Sequence, residues 1–152
     1  FDTVRYIPQP PRTAGEPSSP TRIHVVHGRL RTTLLAVRAA ERISSQLGFA
    51  ITVVAARPVP YPLALEPQLD IERRIQSELE ALLSACHSDI DVRIYWCRDR
   101  LEATAQALPA SSIVLIPAPL TGLRRLLFRF TEMGRLTARL RRDGHRVLLI
   151  PT

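Results

Sequence analysis

Ile23 to Ala56 reads IHVVHGRLRTTLLAVRAAERISSQLGFAITVVAA, and its two ends decide the fold. Ile23 to Val26 is a short β-rich run, and Ala50 to Ala56 is a continuous apolar run of the kind a strand shows when both of its faces are covered. Between them Leu34, Leu35, Ala39, Ile43 and Leu47 recur at helical spacing, and Gly48 supplies a helix stop. Strand, helix and strand in this order form a parallel βαβ unit.

The same alternation continues toward the carboxyl end. Pro58, Pro60 and Pro62 forbid regular structure after the second strand, and a helix follows over about Leu69 to Ala85, with Ile71, Ile75, Leu79, Leu82 and Leu83 on one face. Asp91 to Cys97 is a third strand, Leu101 to Leu108 a short helix, and Ser112 to Ile116 a fourth strand stopped by Pro117 and Pro119. A last helix spans Leu123 to Arg142, and Arg146 to Ile150 is the fifth strand. The expected class is α/β: a three-layer, open, mostly parallel five-stranded sheet with four helices, Rossmann-like in its winding.

The chain has 152 residues, enough for one domain with a real core, and its 45% hydrophobic content can fill one. Its two cysteines, Cys86 and Cys97, are too few for a disulfide scaffold or a four-ligand zinc site. Cys86 and His87 adjoin, but no Cys-x-x-Cys or second histidine pair completes a metal set, so structural thiols are expected. No apolar run approaches the roughly 20 residues that cross a bilayer.

Residues 1–20 carry five prolines and no apolar period, which reads as a proline-rich arm or linker ahead of a domain over residues 21–152. A chain that opens on Phe1 and such an arm reads as a segment tethered to something larger.

All 21 basic residues are arginine, and they are unevenly placed. Between Arg124 and Arg146 eight arginines face two acids, Glu132 and Asp143, so most of the formal +7 belongs to that segment. On a helical wheel Leu123, Leu126, Leu127, Phe130, Met133 and Leu140 fall on one side. Arg124, Arg125, Arg129, Arg135, Arg139 and Arg142 fall opposite, with Phe128 among them. That side is an expected interaction face for an anionic membrane surface or an acidic protein partner. It lacks a reading motif or interleaved aromatics for nucleic acid.

The succession of elements and several phrases resemble the universal stress protein family. TRIHVVHGRLRTTLLAVRAAERISSQLGFAITVVAARPVP, Thr21 to Pro60, is similar to the family's opening strand, polar turn, first helix and second strand with its proline-containing loop. SSIVLIPAPLTGLRRLLFRF, Ser111 to Phe130, and HRVLLIP, His145 to Pro151, resemble its fourth strand, glycine-rich loop, last helix and final strand. In the nucleotide-binding branch of that family an acid closes the first strand and a G-x-x-G-x9-G-S/T loop wraps the phosphates. Here His27 stands at the acidic position, Pro117 at the first glycine and Arg129 with Phe130 near the last pair, leaving Gly122 alone. The resemblance therefore implies a domain of the non-ATP-binding type, with no cofactor expected and ATP or a related nucleotide disfavoured. It also implies a homodimer through the edge strand Arg146, Val147, Leu148, Leu149 and Ile150.

In a doubly wound sheet ligands sit beyond the carboxyl ends of the strands. The residues expected there are His27, Arg57, Arg98, Thr121, Gly122 and Thr131. No serine, cysteine or carboxylate accompanies His27, so no catalytic residue is expected and the chain is not read as an enzyme. The expected role is a regulatory or interaction module, cytoplasmic and tethered to a transporter-like parent. The alternative is a stand-alone sensor of a nucleotide or other small anion.

Overall fold

In a computed structural model, residues 4–6, 21–64, 69–119 and 121–152 are described. Val, Ile and Ala runs form a wholly parallel sheet of β1 (Val4–Tyr6), β2 (Arg22–Val26), β3 (Ala50–Pro58), β4 (Ile90–Cys97), β5 (Ile113–Ala118) and β6 (Arg146–Pro151), in the order β1-β4-β3-β2-β5-β6. The helices are α1 (Leu30–Leu47), α2 (Leu69–Ser84), α3 (Arg100–Ala107), α4 (Gly122–Phe128) and α5 (Glu132–Arg142).

Alternation along the strands divides the core into two layers. Ile23, Val25, Val53, Ala55, Val92, Ile94 and Leu115 pack on one face with Ala36, Val37 and Ala40 of α1 and Ile75, Leu79 and Leu82 of α2. Val26, Val54, Tyr95, Val114 and Ile116 pack on the other with Ala105 of α3 and Leu136 and Leu140 of α5. The rings of Tyr95 and Trp96 go to opposite layers for the same reason. The result is the expected three-layer α/β arrangement.

Several expectations are corrected in detail. Among the described residues the sheet has six strands, because Val4–Tyr6, expected within the arm, pairs with Val92–Ile94 of β4; the rest of residues 1–20 lies outside the described residues. The fourth strand does not stop at Pro117. Pairing of β5 with β2 ends at Leu115, so beyond it the strand serves only β6, and a proline without an N–H is tolerated through Ala118. The stripe that α1 buries is Thr33, Ala36, Val37 and Ala40, with Leu34, Ala39 and Ile43 on its margins and Leu35 and Leu47 exposed. Small side chains let that helix lie close to the sheet. Gly48 ends it at φ 70°, as its place in the sequence predicts.

The expected long cationic helix is two helices. Thr131 caps α5, its Oγ1 accepting from Gly134 N at 3.1 Å and donating to Phe128 O at 2.6 Å. A Cβ on Gly134 would collide with the Phe128 carbonyl and stand 2.7 Å from Arg129 Cα, so only glycine permits this close turn. The break reorients everything before it. Leu123, Leu126, Leu127 and Phe130, expected in the core, are exposed, while Phe128, expected among the arginines, is half-buried against the second core layer.

Candidate functional site

Strand order places the start of the domain in the middle of the sheet: from β2 the chain winds one way to β3 and β4, and from β5 the other way to β6. Neighbouring β2 and β5 therefore send their following loops apart and leave a crevice at their carboxyl ends. A cleft of about 540 Å³ lies there. Gly28, Arg29 and Thr32 line it after β2, Pro117 and Pro119 at the end of β5, and Arg100 at the start of α3. Arg124, Leu127 and Phe128 of α4, with Thr131 and Met133, form the opposite wall.

Local hydrogen bonding holds this rim in place. Gly28 N donates to Thr33 Oγ1 at 3.0 Å, and the hydroxyls of Thr32 and Thr33 both donate to Arg29 O, which fixes the entry into α1. Asp99 caps α3 by accepting from Glu102 N, and Arg100, next in sequence, donates from Nη2 to His27 O at 2.6 Å. Its Nη1 lies 3.5 Å from Glu132 Oε2. Three guanidinium groups line the cleft with no acidic side chain among the described lining residues. Arg29 and Arg124 form no ion pair among the described residues. Such a lining suits a small ligand with phosphate or carboxylate oxygens, which guanidinium groups bind in pairs of parallel hydrogen bonds.

A solved structure described as a universal stress protein in complex with cAMP is 20% identical to this chain, with a TM-score of 0.51 over 88% of this chain and 98% of its own. The fold is that of a universal stress protein. No protein-family model and no curated protein matches the sequence.

Within this universal stress protein fold, the residues expected at the strand ends are dispersed. Thr131 lines the cleft, but its hydroxyl is committed to capping α5. Thr121 precedes α4 without a side-chain cap bond, and Gly122 turns the chain at φ 64°; both are exposed and lie beside the cleft lining in sequence. His27 is buried and does not line the cleft. Its Nδ1 is 3.4 Å from Arg57 Nη2, its Nε2 is buried without a hydrogen-bond partner, and burial, then Arg57 and Arg100, lower its pKa to about 4. A neutral imidazole at that position adds no positive charge beside Arg57 and Arg100.

Arg57 faces α2 and Arg98 serves the loop after β3. Arg57 approaches Glu78 Oε2 of α2 at 3.4 Å, and burial lowers its pKa. Arg98 donates to Val59 O at 2.7 Å, Pro60 O at 3.1 Å and Leu63 O at 2.5 Å, and its guanidinium stacks 4.1 Å from the Tyr61 ring centroid. On α5, Arg139 pairs with Glu102 and Asp143, whereas Arg135 and Arg142 are exposed. Of the three cleft arginines, the sequence reading places Arg124 on the interaction face and misses Arg29 and Arg100. Each stands at the entry to a helix, directly beyond a strand's carboxyl end, and that position was the available signal.

Proposed function

We propose that this chain is a non-catalytic ligand-sensing module of universal stress protein type that binds a small phosphate-bearing ligand of the nucleotide class. The observation that carries the reading is the convergence of Arg29, Arg100 and Arg124 on one cleft at the point where the sheet reverses its winding, with no acidic side chain in the described lining. The cAMP held by a protein of the same fold supports that ligand class. Pro117 and Pro119 supply no N–H to a phosphate, so the arginine side chains take that role and ATP wrapped by main chain is disfavoured. Regulation without catalysis fits the cleft's hydroxyls. Those of Thr32 and Thr131 are bound to backbone, and no histidine is among the described lining residues.

The test is a calorimetric titration with cAMP, AMP and ATP at low and high salt. Binding of the monophosphates, weakened by salt and by Arg29→Gln, is the expected result. Tight ATP binding indifferent to Arg29→Gln would refute the arginine grip. Silence toward every anion would instead favour a module of a transporter-like parent acting through contacts alone, the reading that the proline-rich residues 1–20 support.

A further inference from the structure

The short helix α4 has its apolar side turned outward. At about 100° per residue, Leu123, Leu126 and Leu127 lie together, opposite Phe128, the one side chain of the helix that is not exposed. Leu123 is 69% exposed, Leu126 65%, Leu127 52%, and Phe130 just beyond the helix 66%. Arg124 and Arg125 occupy the flanks between those leucines and the body of the domain, and Arg129 lies over the Phe130 ring, 4.7 Å from its centroid. No acid occurs from Thr121 to Thr131, and Arg124, Arg125 and Arg129 form no ion pair among the described residues.

Whatever covers this helix must be apolar at the leucines and negative at their flanks. We propose that α4 docks on an anionic lipid surface, with Leu123, Leu126, Leu127 and Phe130 entering the boundary between headgroups and acyl chains while Arg124, Arg125 and Arg129 reach back to lipid phosphates. Extent favours lipid over protein. A stable protein interface takes about 20–30 residues and about 800 Å² a side, whereas a bilayer rewards each inserted side chain and each nearby cation separately. The helix would lie on the membrane, since no helix among the described residues is long and apolar enough to cross one.

Arg124 and Leu127 also line the cleft, so lipid and ligand would share these two side chains; vesicle binding is therefore measured with no nucleotide present. The chain is co-sedimented with phosphatidylcholine vesicles and with vesicles that also contain phosphatidylglycerol, at low and high salt. Partition into the anionic vesicles alone is expected, falling about fivefold for each of Arg124→Gln, Arg125→Gln and Arg129→Gln. Leu123→Ser with Leu126→Ser should lower it about tenfold or more, because both leucines leave the apolar phase together. These side chains are exposed, so an unchanged circular dichroism melt will show that the variants fold. No partition at low salt, or full partition by the double leucine variant, would overturn the proposal. So would self-association of the chain that the same leucine variants dissolve, since a second copy would then be the occupant.

Discussion

Arg100 holds the carbonyl oxygen of His27 at 2.6 Å and so ties the start of α3 to the carboxyl end of β2 beneath the cleft. The other arm of the same guanidinium is 3.5 Å from Glu132, which neutralises part of the charge available to a ligand. Glu132→Gln should therefore tighten binding of cAMP about fivefold at low salt, the worth of about 1 kcal/mol for a half-exposed pair. Arg100→Gln should weaken it by at least as much and lower stability as well, because His27 O loses its donor. Calorimetry on the two variants checks both signs, and weaker binding by Glu132→Gln would show that the pair positions Arg100 for the ligand.

Gly134 is where α4 and α5 meet, and its missing Cβ is what lets α5 begin against the Phe128 carbonyl. The obstacle to a side chain is backbone, which cannot rotate away. Gly134→Ala should lower Tm by roughly 3–10 °C, in line with overpacking of a tight contact. Scanning calorimetry reads this directly. An unchanged melt would mean that the turn between Arg129 and Thr131 opens without cost.

This junction also marks the limit of what the sequence makes legible. The parallel sheet and its layers follow from runs such as AITVVAA and from the helical spacing of Ile75, Leu79 and Leu82, because burial on two faces leaves a local imprint. The split of the last helix rests on one glycine meeting one carbonyl, which periodicity cannot see. Once the turn is introduced, the wheel drawn through Leu123 to Leu140 no longer describes one object, and Leu126 passes from core to surface. The cleft was legible as a location and not as a set of residues. Arginine looks alike in sequence whether it clamps a loop, as Arg98 does, or lines a cleft, as Arg29 does. Only the path of the chain separates the two.

Arg98 gathers three carbonyl oxygens of the loop after β3 and stacks on Tyr61, so Arg98→Ala should cost about 2 kcal/mol while leaving ligand affinity unchanged. Urea unfolding and calorimetry on the same variant separate the two effects. A loss of affinity equal to that of Arg29→Gln would place Arg98 in the ligand site.

His24 and His27 are buried in β2 and just beyond it, and the pKa of each is lowered to about 4. For His24 burial is the main cause, followed by the charges of Arg93, Arg22 and His145; for His27 it is burial, then Arg57 and Arg100. Between pH 6.5 and 4 the unfolded chain takes up protons that the folded chain refuses, so stability is full above pH 6.5 and falls as pH drops through that window. The loss is on the order of 3 kcal/mol for each histidine. Urea midpoints measured across the window should show this slope, and His24→Leu should remove about half of it. A flat profile would mean that both imidazoles find partners when charged.

β6 pairs with β5 on one side, and among the described residues nothing pairs with its other side, where Leu148 remains 45% exposed. An apolar parallel strand left open in this way invites a second copy, and two-fold pairing of β6 with its equivalent would satisfy both edges with one contact. Sedimentation velocity is expected to show a dimer for the native chain and a monomer for Leu148→Lys, since a charge on each strand would face its copy across the axis. Neither the fold nor the cleft should change, because Leu148 lies outside the cleft lining and is not among the buried core residues. A native chain that stays monomeric at high concentration would refute the dimer, and so would a Leu148→Lys dimer as tight as the native one.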